Sequence, residues 1–253
     1  MSLKRQGQIL TELRHLGSCN ISDLASRFGV TTETIRRNVQ PLIESGQLAH
    51  FHGGLMLPPT VDEPPFHRRL ARNALPKRDA AALVLGLVKD GDSLILDNGT
   101  TTTYVAEALR ARSKLVIVTN SAEISCRLAG HANNRVFMAG GELNGDDAAA
   151  FGPSVVKFLR QFDVKAAILS TAGINWRGDL VDFHLQEAEF ARAAMARAQE
   201  AWFVADASKF GREAPVRVCP LAEADLLITN TQPAKEFFTL CAEANTQLLF
   251  SGG

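Results

Sequence analysis

Two stretches of this 253-residue chain hold residue types suited to binding an anion. The first is DNGTTTT, residues 97–103. Gly99 lets the backbone turn tightly, and the helix opened by the threonines offers free amides beside the hydroxyls of Thr100, Thr101 and Thr102. That combination suits phosphate, although threonines also cap helices for purely structural reasons. The second is DASKFG, residues 206–211, which sets Lys209 in a loop closed by glycine. A lysine beside a phosphate-ready turn is its point-charge partner; a solvated surface lysine is the plainer alternative. LVDFHLQE, residues 180–187, adds Asp182, His184 and Glu187 ahead of a long helix. Carboxylates accept hydrogen bonds from sugar hydroxyls, and acidic residues also favour the first turn of a helix. Asn120 and the Gly140–Gly141 pair end two predicted strands, at loops where backbone nears a ligand or another loop.

A different chemistry is suggested by TTETIRRNV, residues 31–39. Leu24, Ala25 and Phe28 form the inner face of a short helix that Ser22 can cap, Gly29 and Val30 make a turn, and a further helix capped by Thr31 or Thr32 turns Ile35, Val39 and Leu42 inward. Glu33, Thr34, Arg36, Arg37 and Gln40 are left on its outer face. A short helix, a tight turn and a second helix with a polar, basic outer face make a helix-turn-helix, whose second helix enters the major groove. The planar fork of arginine bridges guanine O6 and N7 or clamps phosphate. Ahead of this pair, Ile9, Leu10, Leu13 and Leu16 recur at helical spacing up to Gly17. After it, Gly46 closes the helix and QLAHFHGG, which holds His50 and His52, alternates as a small hairpin would. Pro41 lies inside the recognition helix, where it predicts a kink or break near residues 37–40.

From Lys77 onward helices and strands alternate. KRDAAALVLGLVKDG, TTTYVAEALRA, SAEISCRLAG, GPSVVKFLRQF, QEAEFARAAMARAQE and PAKEFFTLCAEA read as helices. SLILD, KLVIVTN, RVFMAGG, AAILSTAG, AWFVAD, DLLIT and QLLF read as strands. Apolar strands separated by helices imply a mainly parallel sheet covered on both faces, with ligands at the carboxyl ends of its strands. Five of the ten prolines, Pro58, Pro59, Pro64, Pro65 and Pro76, fall between Leu57 and Lys77. The expected organisation is therefore a helix-turn-helix unit over 1–57, a proline-rich connector over 58–76 and an α/β unit with a candidate anion site over 77–253.

Charge follows the same division. The chain carries 27 basic and 27 acidic residues, yet residues 1–78 hold eleven Lys or Arg against six Asp or Glu. An excess of positive charge at one end suits a polyanionic partner. No apolar run approaches the roughly 18–20 residues of a membrane span. The start, MSLKRQGQIL, lacks the apolar core of a signal peptide. Cys19, Cys126, Cys219 and Cys241 are scattered, which predicts reduced thiols and a cytoplasmic protein, with no metal site or cofactor.

In combination, the motifs TIRR…L…G.L…HGG, D.GTTT, TN, GGEL and D.SKFG resemble the DeoR family of bacterial transcription regulators, nearly end to end. The resemblance implies a winged helix-turn-helix joined to a sensor domain related to sugar-phosphate isomerases. It implies that Asp97, Asn98, Gly99, Thr100, Thr101, Thr102 and Lys209 meet a phosphorylated effector and that Asp182 and Glu187 meet its polyol end. A small ester such as glycerol-3-phosphate is the expected effector, double-stranded operator DNA the expected partner, and a homodimer or homotetramer the expected assembly. Repression of a carbohydrate or glycerol catabolic operon is the expected outcome. The alternative is an aldose–ketose isomerase of sugar phosphates with an accessory N-terminal domain. Such an enzyme would draft its base and its enediolate donor from Glu142, Asp182, Glu187 and Lys209.

Overall fold

The structure is a computed structural model that describes residues 2–16, 18–45, 47–51, 54–56 and 63–252. Gly17, Gly46 and His52 lie outside the described residues, as do residues 57–62 with Pro58 and Pro59.

The N-terminal unit runs α1 (Ser2–Leu16), β1 (Ser18–Asn20), α2 (Ile21–Phe28), α3 (Thr32–Glu44), β2 (Ala49–Phe51) and β3 (Gly54–Met56). Ile9 and Leu13 of α1, Leu24 of α2, and Ile35, Val39 and Leu42 of α3 close on Leu48 and Leu55 as one core. β2 and β3 form the expected antiparallel hairpin, and β1, not foreseen, pairs with the other edge of β3. Two sequence expectations need correction in this unit. The residue preceding α2 is Asn20 rather than Ser22, and it makes no side-chain capping bond. The break expected near residues 37–40 is absent, because α3 is continuous through Pro41. Pro41 is exposed, while Val39 and Leu42 on either side of it are buried. Holding both in the core requires helical geometry across the proline, and their burial offsets the lost amide.

The C-terminal unit begins with α4 (Phe66–Ala71), α5 (Ala74–Leu87), β4 (Ser93–Leu96), α6 (Thr100–Leu109), β5 (Val116–Thr119), α7 (Ala122–Leu128) and β6 (Arg135–Met138). It continues with α8 (Pro153–Leu159), β7 (Val164–Leu169), β8 (Gly173–Ile174), β9 (Asp179–Asp182), α9 (Leu185–Met195) and β10 (Ala198–Ala205). Then come β11 (Val216–Pro220), β12 (Leu226–Thr229), α10 (Lys235–Ala244) and β13 (Gln247–Phe250). Seven strands form a parallel sheet in the order β13-β12-β10-β7-β4-β5-β6. Alternate residues of one strand face opposite sides. Leu94 and Leu96 pack on α5, α6 and α7 through Val84, Val105 and Ile124. Ile95 and Leu169 pack on α8, α9 and α10 through Val155, Phe190 and Phe237. Chain order reverses between β4 and β7, so the loops leaving these two neighbours diverge over a crevice, where open α/β sheets bind ligands.

The short antiparallel sheet β11-β9-β8 was not anticipated. The helix expected over residues 186–200 stops at Met195. Its last residues instead begin β10, where Ala198 pairs with Val164 and Glu200 with Ala166, so sheet pairing overrides helix propensity. Residues placed in the proline-rich connector form α4 and the first turn of α5. Pro65 precedes α4, and Pro76 falls in the first turn of α5, where a missing amide costs little.

Candidate functional site

On the N-terminal unit, Thr31 is the N-cap of α3, its hydroxyl accepting from the Thr34 amide at 3.2 Å. Thr31, Thr32, Glu33, Arg36, Arg37 and Gln40 are exposed, and Thr34 is half-buried. Arg36 lies 3.7 Å from Glu33, and Gln40 donates to Glu44 at 3.0 Å. Both contacts are on solvent and break cheaply when a partner approaches. His50 is exposed on β2; His52 lies outside the described residues.

On the C-terminal unit, the crevice is organised by Asp97. Its Oδ1 accepts from the Thr102 hydroxyl at 2.6 Å and the Gly99 amide at 3.1 Å. Its Oδ2 accepts from the Ser170 amide at 2.6 Å and hydroxyl at 2.9 Å. One carboxylate thus ties the loop after β4 to the loop after β7. Burial raises the Asp97 carboxyl above its ordinary value, and these four donors oppose the rise. A Cβ on Gly99 would lie 1.9 Å from the Ser170 hydroxyl and 2.6 Å from its Cβ, so only glycine fits. The hydroxyls of Thr102 and Thr103 return to the Gly99 carbonyl. The first-turn amides of α6 are left without intrahelical partners, next to the hydroxyls of Thr100 and Thr101. Asn98 donates to Asp147 at 2.7 Å, fastening the loop that follows β6.

Four cations surround this turn, and three of them were not read as site residues in the sequence. Lys209, at the end of a 3-10 turn (Ala207–Lys209), is the expected one. Arg69 comes from α4, and Arg212 follows the Lys209 loop, donating to the Ala172 carbonyl at 3.0 Å. Lys77, buried in α5, donates to the Thr100 hydroxyl at 2.9 Å and to the Arg69 carbonyl. Burial lowers Lys77 to about 8, with Lys209 and Arg69 pushing the same way against Asp206 and Glu63. In the middle sits Glu63, whose side chain is only 4% exposed. Its Oε2 is 2.7 Å from Arg69, and its Oε1 lies 3.5 Å from Lys209 and 3.3 Å from Arg212. Burial alone would raise the Glu63 carboxyl, yet Lys209, Arg69 and Arg212 hold it below its ordinary value.

Asp182, at the end of β9, and Glu187, in the first turn of α9, close the opposite wall as a facing pair. Asp182 accepts from the Phe183 amide at 2.7 Å. Burial and the charge of Asp182 push Glu187 up to about 10, so it keeps its proton at neutral pH. The Asp182 carboxyl is raised as well, by burial first. Glu63, Arg69, Asn98–Thr101, Ser170–Ala172, Asp182, Glu187 and Lys209 together line a cavity of about 10 Å³, room for about one water molecule.

Asn120 and Gly141 do not line it. Asn120 is fully buried at the end of β5 and donates to the Ala150 carbonyl at 3.0 Å, and Gly141 is exposed beside Ala150. They shape the segment that carries Asp146, which accepts from the Phe66 amide at 2.8 Å, and Asp147. Glu142 is exposed and outside the cavity. Of the residues missed, Glu63 and Arg69 sat in a stretch whose prolines read as a connector. Arg212 and Lys77 sit beside other charges, Glu213 and Arg78, and no spacing rule singles them out.

The Lys209 loop also faces the N-terminal unit. α1 packs against the turn Ala207–Lys209, and the Ser18 hydroxyl donates to the Phe210 carbonyl at 3.4 Å. Gly211 has a left-handed φ of +74°, and a Cβ there would stand 2.8 Å from both the Ser18 hydroxyl and the Trp176 ring. A rearrangement around Lys209 therefore has a short path to the helices beside the recognition helix.

Residues 5–61 match the DeoR-like helix-turn-helix domain, and residues 72–231 match the DeoR C terminal sensor domain. The chain is 31% identical over 245 residues to the glycerol-3-phosphate regulon repressor of Escherichia coli (strain K12), with 97% of each chain covered. It is 31% identical over 252 residues to the protein of the same name from Haemophilus influenzae, covering 100% of this chain and 98% of that one. It is 30% identical over 229 residues to the HTH-type transcriptional repressor CsqR of Escherichia coli (strain K12), covering 90% and 88%. Among solved structures, a D-ribose-5-phosphate isomerase in complex with phospho-erythronic acid matches with a TM-score of 0.40 and 18% identity, over 53% of this chain and 52% of that one. No helix among the described residues is long and apolar enough to cross a membrane. A helix-turn-helix followed by a parallel α/β sensor, matched by both family domains and by full-length relatives, makes this chain a member of the DeoR family of transcription regulators rather than an enzyme.

Proposed function

We propose that the protein is an operator-binding repressor released by a small phosphorylated polyol, of which glycerol-3-phosphate is the first to test. The observation that carries this reading is one cavity at the β4–β7 crevice where a helix N-terminus, Lys209 and Arg69 face a pair of carboxyl groups. Free amides and cations suit a phosphate dianion. Asp182 and protonated Glu187 supply an acceptor and a donor, as polyol hydroxyls require. The phosphate would take the amides of Thr100 and Thr101, the Thr101 hydroxyl, Lys209 and Arg69. Asp97, Asn98, Gly99 and Thr102 would keep the turn in shape.

On the DNA side, Arg36 and Arg37 would read bases or clamp phosphate in the major groove, with Thr31–Thr34, Gln40 and the wing histidines His50 and His52 positioning the unit. Paired half-sites suit a homodimer or homotetramer. Release requires that effector bind the two conformations unequally, and the contact of the Lys209 loop with α1 and Ser18 offers a route for that difference. The name shared by two relatives, the glycerol-3-phosphate regulon repressor, agrees in chemistry with the cavity.

The test is operator release titrated with glycerol, glycerol-3-phosphate and larger sugar phosphates. Glycerol-3-phosphate should release the DNA and glycerol should not. Release by glycerol as effective as by any phosphate ester overturns the phosphate site. Release only by a pentose or hexose phosphate replaces the effector and keeps the site.

A further inference from the structure

We infer that Glu63 is a built-in competitor for the effector's anionic group. Its carboxylate holds the cation cage in place of phosphate, and effector binding expels it. This rests on the phosphate reading above and adds how the site is regulated and which ligand class it admits.

Three observations point to it. Glu63 bridges Arg69, Lys209 and Arg212, and the first two line the cavity with the first turn of α6. The cavity left beside it is about 10 Å³, and a phosphoryl group with its ester carbon cannot enter until the carboxylate leaves. Glu63 brings a single negative charge to three cations, with Asp206 the further carboxylate that acts on Lys209 and Arg212. A phosphate monoester carries about −1.5 to −2 at pH 7 and three strong acceptor oxygens, so it satisfies the same cations better than one carboxylate. Neutral polyols and simple monocarboxylates lack that advantage. Glu63 therefore selects for dianionic esters by setting the free energy that any ligand must exceed.

The position of Glu63 in the chain gives the competition a consequence. Residues 57–62 alone separate it from the last strand of the winged helix. On its other side, Pro64 and Pro65 lead directly into α4, whose Phe66 amide is held by Asp146 and whose Arg69 is the nearest cation to Glu63. Expelling the carboxylate frees Glu63, Pro64 and Pro65 ahead of α4 at the moment the effector takes Lys209, whose loop touches α1.

Two measurements on the full chain test this. Calorimetric titration with glycerol-3-phosphate and with inorganic phosphate at pH 7.5 compares wild type with Glu63→Gln, which keeps the size and removes the charge. A competitor that leaves only a fraction of molecules open weakens apparent affinity by that fraction, so the variant should bind both ligands about tenfold more tightly or better. Hydrogen exchange on the wild type needs no substitution: with saturating glycerol-3-phosphate, the amides of Phe66–Ala71 should exchange faster. Equal or weaker binding by Glu63→Gln, or slower or unchanged exchange in α4, overturns the role of Glu63 while leaving the phosphate site standing. Failure of wild type and variant alike to bind any phosphate ester overturns both.

Discussion

Gly99→Ala is the sharpest probe of how the anion turn is built. The added Cβ would lie 1.9 Å from the Ser170 hydroxyl, which could rotate away, but also 2.6 Å from the Ser170 Cβ, which could not. Ordinary contact begins near 3.4 Å, so the loops after β4 and β7 must part by about 0.8 Å. Overpacking of that kind costs about 1–3 kcal/mol. It also stretches the bonds from Asp97 to the Gly99 amide and to Ser170, which fix the first turn of α6. Losing one charge-assisted hydrogen bond to phosphate, worth about 1.5–3 kcal/mol, weakens effector binding by about 10- to 150-fold. Urea unfolding gives the first quantity and calorimetric titration with glycerol-3-phosphate the second. Ser170→Gly in the same chain removes both clashing atoms. The double variant should recover most of the lost stability, short of about 1 kcal/mol for the missing Ser170 hydroxyl bond. Wild-type stability in Gly99→Ala, or no recovery in the double variant, refutes the steric account.

Lys209→Ala should leave operator affinity unchanged while about 10- to 100-fold more glycerol-3-phosphate is needed for release, read by gel shift, since one cation of the cage is lost. Arg36→Ala and Arg37→Ala should each weaken operator binding. A base-reading arginine costs about 1–3 kcal/mol and relaxes one position, whereas a phosphate contact flattens the salt dependence across sequences. The Glu187 carboxyl is raised to about 10, so the folded chain keeps a proton that the unfolded chain loses above about 4.5. The Glu187 contribution to stability therefore declines as pH climbs from about 4.5 toward about 10, and Glu187→Gln should be more stable than wild type in urea at pH 8 but not at pH 4. Glu63 is shifted the opposite way: its folded value lies below its ordinary 4.5, so its contribution is present above pH 4.5 and lost as pH falls through the folded value. Glu63→Gln should accordingly flatten the acid limb of the urea midpoint against pH.

Periodicity and punctuation carried most of the architecture. Leu24, Ile35, Val39 and Leu42 recur at helical spacing and form the winged-helix core, and a left-handed Gly29 makes the turn before the recognition helix. Apolar runs such as SLIL and VIVT need cover on both faces, which only a sheet between helices supplies. The turn at Gly99 and the lysine at 209 were readable because each carries its chemistry within a few residues. What tertiary structure decided was everything set by competition or by distance in the chain. Residues 198–200 favour helix locally, but pairing with β7 satisfies their backbone within the sheet. Pro41 should break a free helix, but Val39 and Leu42 hold it in a packed one. Pro64, Pro65 and Pro76 read as a connector because proline disfavours both regular structures in their interiors; only the fold shows that they stand at helix starts, where that objection lapses. Glu63, Arg69, Lys77 and Arg212 are separated charges in the sequence. They meet because the loops after β4 and β7 diverge at one crevice and α4 folds over it. A buried carboxylate among cations is stable only once all of them have arrived, so no local pattern announces it.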